Sequence, residues 1–290
     1  MIEKETIIPG IVLYKNALPN FLNVLDTVIQ SESGQDDQAL IKPWRDWNNG
    51  IGIMSSGVSS DYEYRKQDEK YSQQYEVIRS IWDSFDAVLN DYVSEYNDVN
   101  FFPHYVDTLD FKNKSWMNAQ IDFLKYFKDS KNDKYALSCH NDQATWLDES
   151  RGPKFVLTVT MYLNDNYGGG DLCFFNENDT NAVLYKPSAG DIIVFPSFYP
   201  YFHGVHSIES GNKYLIRMFK FWDYVGSEEW LENERLYGKE NWAELEKKRS
   251  QREFNSGKSD RHVCLNGEEQ EEGVVGIPPF YVDSISRHGL

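Results

Sequence analysis

Between Ser115 and Trp222 the chain is broken into short apolar runs separated by turn residues, and this spacing constrains the fold more than any other feature. The runs are 118–124, 155–163, 171–175, 182–185, 191–195 and 213–222, rich in Val, Ile, Leu, Phe and Tyr. Gly168-Gly169-Gly170, Pro187-Ser188-Ala189-Gly190 and Ser210-Gly211-Asn212 stand between them, and the first reads as a hairpin turn. Short strands at this spacing predict a sandwich or barrel, so the fold class is α+β dominated by β, with helices outside the sheets. Before this region, Ile11 to Tyr14 reads as a strand and Leu18 to Ile29 as an amphipathic helix. Residues 44–70, with Trp44, Trp47, Tyr62 and Tyr64 among Gly, Ser and Asn, read as a long ordered loop. Tyr71 to Tyr96 carries one apolar stripe and reads as a long helix that packs on a sheet. The expected division is a supporting region over 1–114, a β core over 115–223 and a partly helical C-terminal extension over 224–290. That extension is a candidate lid, docking arm or oligomer contact.

Composition removes several classes of function. The 29 basic and 46 acidic residues leave a net charge of −17, which disfavours nucleic acid as a partner. Cys139, Cys173 and Cys264 form an odd set without CxxC spacing, unlike a disulfide scaffold or a structural zinc site. With no long apolar segment, the chain reads as a cytoplasmic protein without a membrane span. Gly257-Lys258-Ser259 ends like a phosphate loop, but Arg252 stands where the first glycine belongs. The glycines at 168–170 lie between strands and open no helix that would hold a phosphate. HExxH and GxSxG do not occur.

His140-Asn141-Asp142 is the motif left with chemistry in it. On a strand, residues i and i+2 share a face, so His140 and Asp142 would present an imidazole and a carboxylate to one cavity. A second imidazole would complete a two-histidine, one-carboxylate triad, which suits Fe(II) with open positions. By itself the triplet is equally compatible with a structural histidine. His203 and His206 are both available for the third place.

The remaining motifs supply context. Gly190-Asp191-Ile192-Ile193-Val194-Phe195-Pro196-Ser197 is followed by His203-Gly204-Val205, and Lys213 lies ten residues after His203. Together with HxD and the glycine turn, this order resembles the 2-oxoglutarate and Fe(II)-dependent oxygenases, most closely their prolyl 4-hydroxylase-like branch, over roughly 118–222. The resemblance implies a double-stranded β-helix (jelly roll) with Fe(II) held by His140, Asp142 and His203. It implies that Lys213, where many members have arginine and collagen-type hydroxylases have lysine, pairs with the distal carboxylate of 2-oxoglutarate. Tyr162, in Tyr162-Leu163-Asn164, would donate to the same carboxylate, and Tyr126 is the counterpart of a tyrosine that faces the cosubstrate. Tyr126 stands further from His140 than the family pattern has it. Tyr135 is a secondary candidate for that place, Arg217 a contact to substrate or cosubstrate or else a plain ion pair, and Trp146 a wall of the cleft. The implied reaction consumes O2, releases succinate and CO2 and hydroxylates an unactivated C–H bond, with ascorbate as reductant. A proline-containing peptide or protein is the first substrate class. The same chemistry on another residue or small molecule, and a noncatalytic binding module, are the alternatives.

Overall fold

In the computed structural model, the described residues are 2–34, 39–47, 52–59, 62, 65, 67–96, 116–118, 121–129, 134–142, 154–175, 183–197, 201–222 and 228–242. Eight strands make the core: β6 (Asp122–Phe127), β7 (Tyr135–His140), β8 (Lys154–Tyr162), β10 (Leu172–Phe174), β11 (Val183–Tyr185), β12 (Ile192–Pro196), β13 (His203–His206) and β15 (Asn212–Trp222). The large sheet runs β12-β8-β15-β6 through its centre, and the small sheet runs β11-β10-β13-β7. Apart from the β10–β11 hairpin, successive core strands alternate between the two sheets, and every pairing is antiparallel. This is the double-stranded β-helix, a jelly roll in which two sheets enclose one interior.

Strand period decides what faces that interior. In register, Thr158 lies opposite Phe195 and Phe219, Thr160 opposite Ile193 and Arg217, and Tyr162 opposite Leu215. The alternate positions Val159 and Met161 align with Val194, Ile192, Met218 and Ile216, all with no solvent exposure. The large sheet is therefore apolar on its outer face and hydroxyl-bearing on its inner face. The outer face joins the core cluster of α1 (Phe21–Glu32) and α2 (Ser72–Tyr96), and α2 packs against β12. Val77, Ile78, Ile81, Phe85, Val88, Leu89 and Tyr92 form the buried stripe of α2. Each large apolar side chain so buried contributes about 1.5–3 kcal/mol.

The first 57 residues supply four further strands to the large sheet. β1 (Lys4–Ile8) pairs with β2 (Ile11–Tyr14), which pairs with β12; β3 (Arg45–Asp46) pairs with β4 (Ile53–Gly57), which pairs with β6. The expected loop over 44–70 is thus partly sheet. Its glycines and serines masked the pattern, because β4, held between β3 and β6, pairs through its backbone and carries few large side chains of its own. β5 (Trp116–Asn118) pairs with the far end of β15. The glycine run is also corrected: Gly168–Gly169 is a short strand, β9, paired with β14 (Ile208–Ser210). A Cβ on Gly169 would lie 2.4 Å from Ser207 O, so glycine here serves a close backbone approach as well as a change of direction. In the extension, α3 (Glu228–Tyr237) exposes Leu231, Leu236 and Tyr237. No helix among the described residues is long and apolar enough to cross a membrane.

Candidate metal centre

His140 closes β7 and His203 opens β13, and the two residues are directly paired across the small sheet. Gly204 permits this approach, since a Cβ there would lie 2.9 Å from Leu137 O and 3.1 Å from Cys139 Sγ. The imidazole centroids are 4.6 Å apart. Asp142 stands beyond the end of β7, so the two-residue strand period does not account for its direction. Thr158, reaching from β8 in the large sheet, accounts for it instead. Its Oγ1 donates to Asp142 Oδ2 at 2.6 Å and lies 2.8 Å from Ser197 Oγ.

The three side chains converge on one point. Asp142 Oδ1 lies 3.4 Å from His140 Nε2, and Oδ2 lies 3.3 Å from His203 Nε2. His140 Nδ1 is 2.8 Å from Ser138 O, and His203 Nδ1 is 3.3 Å from Tyr201 O. With a cation in the site, protons on both Nδ1 atoms would satisfy those carbonyls and leave both Nε2 lone pairs for the ion beside the carboxylate. Burial alone would raise the Asp142 carboxyl; the imidazoles of His203 and His140 outweigh it and hold the group well below the usual carboxylate range. All three residues are buried, and their donor atoms lie within 4.8 Å of one another. Two nitrogens and one carboxylate oxygen on one side of an ion leave its other positions open, which suits Fe(II) and a chelating cosubstrate.

Further along the inner face, Lys213 is fully buried beside its register partner Tyr126. Its Nζ donates to Gly170 O at 2.7 Å and lies 5.3 Å, 5.6 Å and 5.7 Å from the ring centroids of Tyr162, Tyr167 and Tyr126. The turned backbone of Gly170, φ +70°, accompanies this contact. Burial pushes the Lys213 ammonium down to about 7, the Asp171 carboxylate opposing and Lys186 adding to the shift. Burial pushes the Tyr126 phenol up to about 12, with Arg217 pulling the other way. Thr160 Oγ1 donates to Tyr162 Oη at 3.3 Å, which leaves the phenolic proton of Tyr162 available.

The remaining candidates fall elsewhere. Arg217 donates to Asp122 Oδ2 at 3.0 Å, its guanidinium 4.7 Å from the Trp47 ring and 4.9 Å from Phe219. Tyr135 lies at the opposite end of β7 from His140, with its ring 5.1 Å from His206. His206 thus belongs to that end of the sheet, and it takes no part in the cluster at Asp142. Trp146 and Tyr64 lie outside the described residues. Trp44 donates to Ser31 Oγ on α1, and Tyr62 packs on Tyr75.

Sequence reasoning missed Thr158, which orients the carboxylate, and Asn164, whose Oδ1 accepts from Tyr214 N while its Nδ2 donates to Asn212 O, both at 2.8 Å. The alternation of Thr158, Thr160 and Tyr162 with Val159 and Met161 was the available signal for the first. Asp191 is likewise structural: its carboxylate accepts from Asn16 N and Ser188 N and ties β12 to the end of β2.

Comparison with known proteins agrees with this geometry. Residues 121–221 match the family model described as the 2OG-Fe(II) oxygenase superfamily. No curated protein matches the chain in sequence. Among solved structures, the viral collagen prolyl hydroxylase of Paramecium Bursaria Chlorella virus-1 in complex with 2OG is 14% identical, with 73% of this chain and 96% of that chain covered and a TM-score of 0.44. A Trichoplax adhaerens prolyl hydroxylase in complex with a hypoxia inducible factor peptide fragment is 17% identical, with 74% and 84% covered and a TM-score of 0.45. The Arabidopsis thaliana dioxygenase for auxin oxidation 1, with 2-oxoglutarate, is 14% identical, with 72% and 82% covered and a TM-score of 0.48. With the triad, the jelly roll and the family match in agreement, residues 121–221 constitute a 2OG-Fe(II) oxygenase domain, whose cofactor is Fe(II) and whose cosubstrate is 2-oxoglutarate.

Proposed function

We propose that the protein hydroxylates a prolyl residue in a peptide or protein, using His140, Asp142 and His203 for the metal and Lys213, Tyr162 and Tyr126 for the cosubstrate. The observation that carries this reading is a fully buried lysine that faces, from the large sheet, the interior the triad faces from the small one, with a single carbonyl acceptor among the described residues. A buried ammonium calls for an anion, and the distal carboxylate of 2-oxoglutarate supplies one. Tyr162 would give a second donor to that carboxylate, and Tyr126, paired with Lys213 across the sheet, would face the cosubstrate beside it. Lysine at this place, ten residues after His203, favours the collagen-type hydroxylases over the arginine-bearing members.

When bound, the metal and 2-oxoglutarate supply oxidation of a C–H bond by O2, with succinate and CO2 as co-products. The chain's own task is positional. Thr158 and the carbonyls of Ser138 and Tyr201 hold the three ligands in one orientation. Lys213 fixes the far end of the cosubstrate, and the apolar rings of Phe195 and Phe174 pack behind His203 and keep water away from that side. Ascorbate would serve as the reductant, and the buried thiols of Cys139 and Cys173, which form no disulfide, suit a reducing cytoplasm.

Succinate formation is the test, measured with Fe(II), 2-oxoglutarate and a panel of proline-containing peptides. Peptide-stimulated succinate with one oxygen added to a prolyl ring, lost in His203→Ala, is the expected result. Turnover that no proline peptide stimulates would remove the substrate assignment and leave the oxygenase.

A further inference from the structure

Tyr167 precedes the glycine run, is 5% exposed, and its hydroxyl is buried with no hydrogen-bond partner among the described residues. A buried phenol normally has a partner, so an orphan beside a ligand pocket marks a place where something else accepts its proton. Two ammonium groups lie near the ring: Lys213 Nζ is 5.6 Å from its centroid and Lys186 Nζ 4.8 Å. Lys186 also donates to Tyr167 O at 2.7 Å, which pins the residue from its backbone. Gly170 packs close against the ring, since a Cβ there would lie 3.0 Å from Tyr167 Cε2. The phenol of Tyr167 is close enough to that of Tyr162 to act on its ionisation. Three donors thus gather at one end of the interior: the unused N–H groups of Lys213 and the hydroxyls of Tyr162 and Tyr167.

A carboxylate has about four lone-pair sites, more than one lysine and one tyrosine fill. We propose that Tyr167 is a third donor to the distal carboxylate of 2-oxoglutarate, and that Lys186 is the positioning residue that holds Tyr167 there. The inference rests on the cosubstrate reading above and adds two residues to it. It also explains how a lysine serves where arginine is common: the fork of hydrogen bonds that an ammonium lacks is made up by a second phenol.

Calorimetric titration of the Mn(II)-loaded protein tests this without turnover. The probes are 2-oxoglutarate and 2-oxobutyrate, which chelates the metal in the same way and has no distal carboxylate. Tyr167→Phe is expected to weaken 2-oxoglutarate about tenfold, the loss of one charge-assisted hydrogen bond, and to leave 2-oxobutyrate within about twofold. Lys186→Met is expected to weaken 2-oxoglutarate by less, and to add nothing when combined with Tyr167→Phe. Unchanged 2-oxoglutarate affinity in Tyr167→Phe would overturn the proposal, as would equal losses for both probes, which would make Tyr167 a structural residue. If the wild-type protein binds neither probe, the cosubstrate reading fails first and the inference falls with it.

Discussion

Burying an ammonium against one carbonyl and three phenol rings costs solvation that those groups only partly return. Lys213 accordingly loses its proton near pH 7 in the free protein, against 10.5 for an ordinary lysine. Only the ammonium attracts a carboxylate, and a bound carboxylate raises the lysine again. Binding therefore takes up a proton above pH 7, and affinity falls as pH rises through that window. Titration of the Mn(II)-loaded protein should show 2-oxoglutarate affinity about 20-fold weaker at about pH 8.5 than at about pH 6.5. Lys213→Arg, which keeps its charge throughout, should flatten the profile, whereas 2-oxobutyrate should respond little in either protein. A flat wild-type profile would mean that Lys213 stays charged in the free protein or does not meet the ligand.

At the scale of elements, the site depends on how the ends of β8, β12 and β15 are tied. Asn164, just past β8, replaces ladder bonds that the chain cannot make where it turns, and so holds the start of β15, where Lys213 stands, against the end of β8, where Tyr162 stands. Asn164→Ala leaves Tyr214 N and Asn212 O without those partners, a cost of about 2–3 kcal/mol in urea unfolding. The same change should weaken 2-oxoglutarate more than Mn(II), because it loosens the lysine end of the interior and leaves the triad on the small sheet untouched. Equal losses for both ligands would show that the clamp supports the whole interior. The side-chain period exposed most strands of the core to sequence reasoning, along with the buried stripe of α2. It did not expose β4, whose glycine and serines pair beside β6, nor β9, whose glycines serve close approach. The triad's residues were legible as a motif, but the orientation of Asp142 was not. A hydroxyl sixteen residues away sets it, and neither the triplet nor its spacing records that contact.

The molecule as a whole divides the work between its sheets. His140 and His203 belong to the small sheet, and Lys213, Tyr162 and Tyr126 to the large one; among the hydrogen bonds at the site, that from Thr158 to Asp142 links β8 to the metal ligands. A metal alone engages chiefly the small-sheet end, and 2-oxoglutarate without a metal has only the lysine end. Bound together, cosubstrate and metal would form a continuous bridge across the interior, so their contributions to stability should exceed a sum. Each ligand at a hundredfold excess over its Kd adds about 2.7 kcal/mol by mass action, roughly 5–10 °C in Tm for a domain of this size. Thermal unfolding with Mn(II), with 2-oxoglutarate and with both, at fixed concentrations, measures the difference. We expect little shift with 2-oxoglutarate alone, a moderate one with Mn(II), and with both a shift several degrees beyond their sum. 2-Oxobutyrate, which stops short of Lys213, should add much less to the Mn(II) shift. Strictly additive shifts, or equal ones for the two keto acids, would mean that the ligand does not reach from one sheet to the other, and the assignment of Lys213 to its distal end would have to be given up.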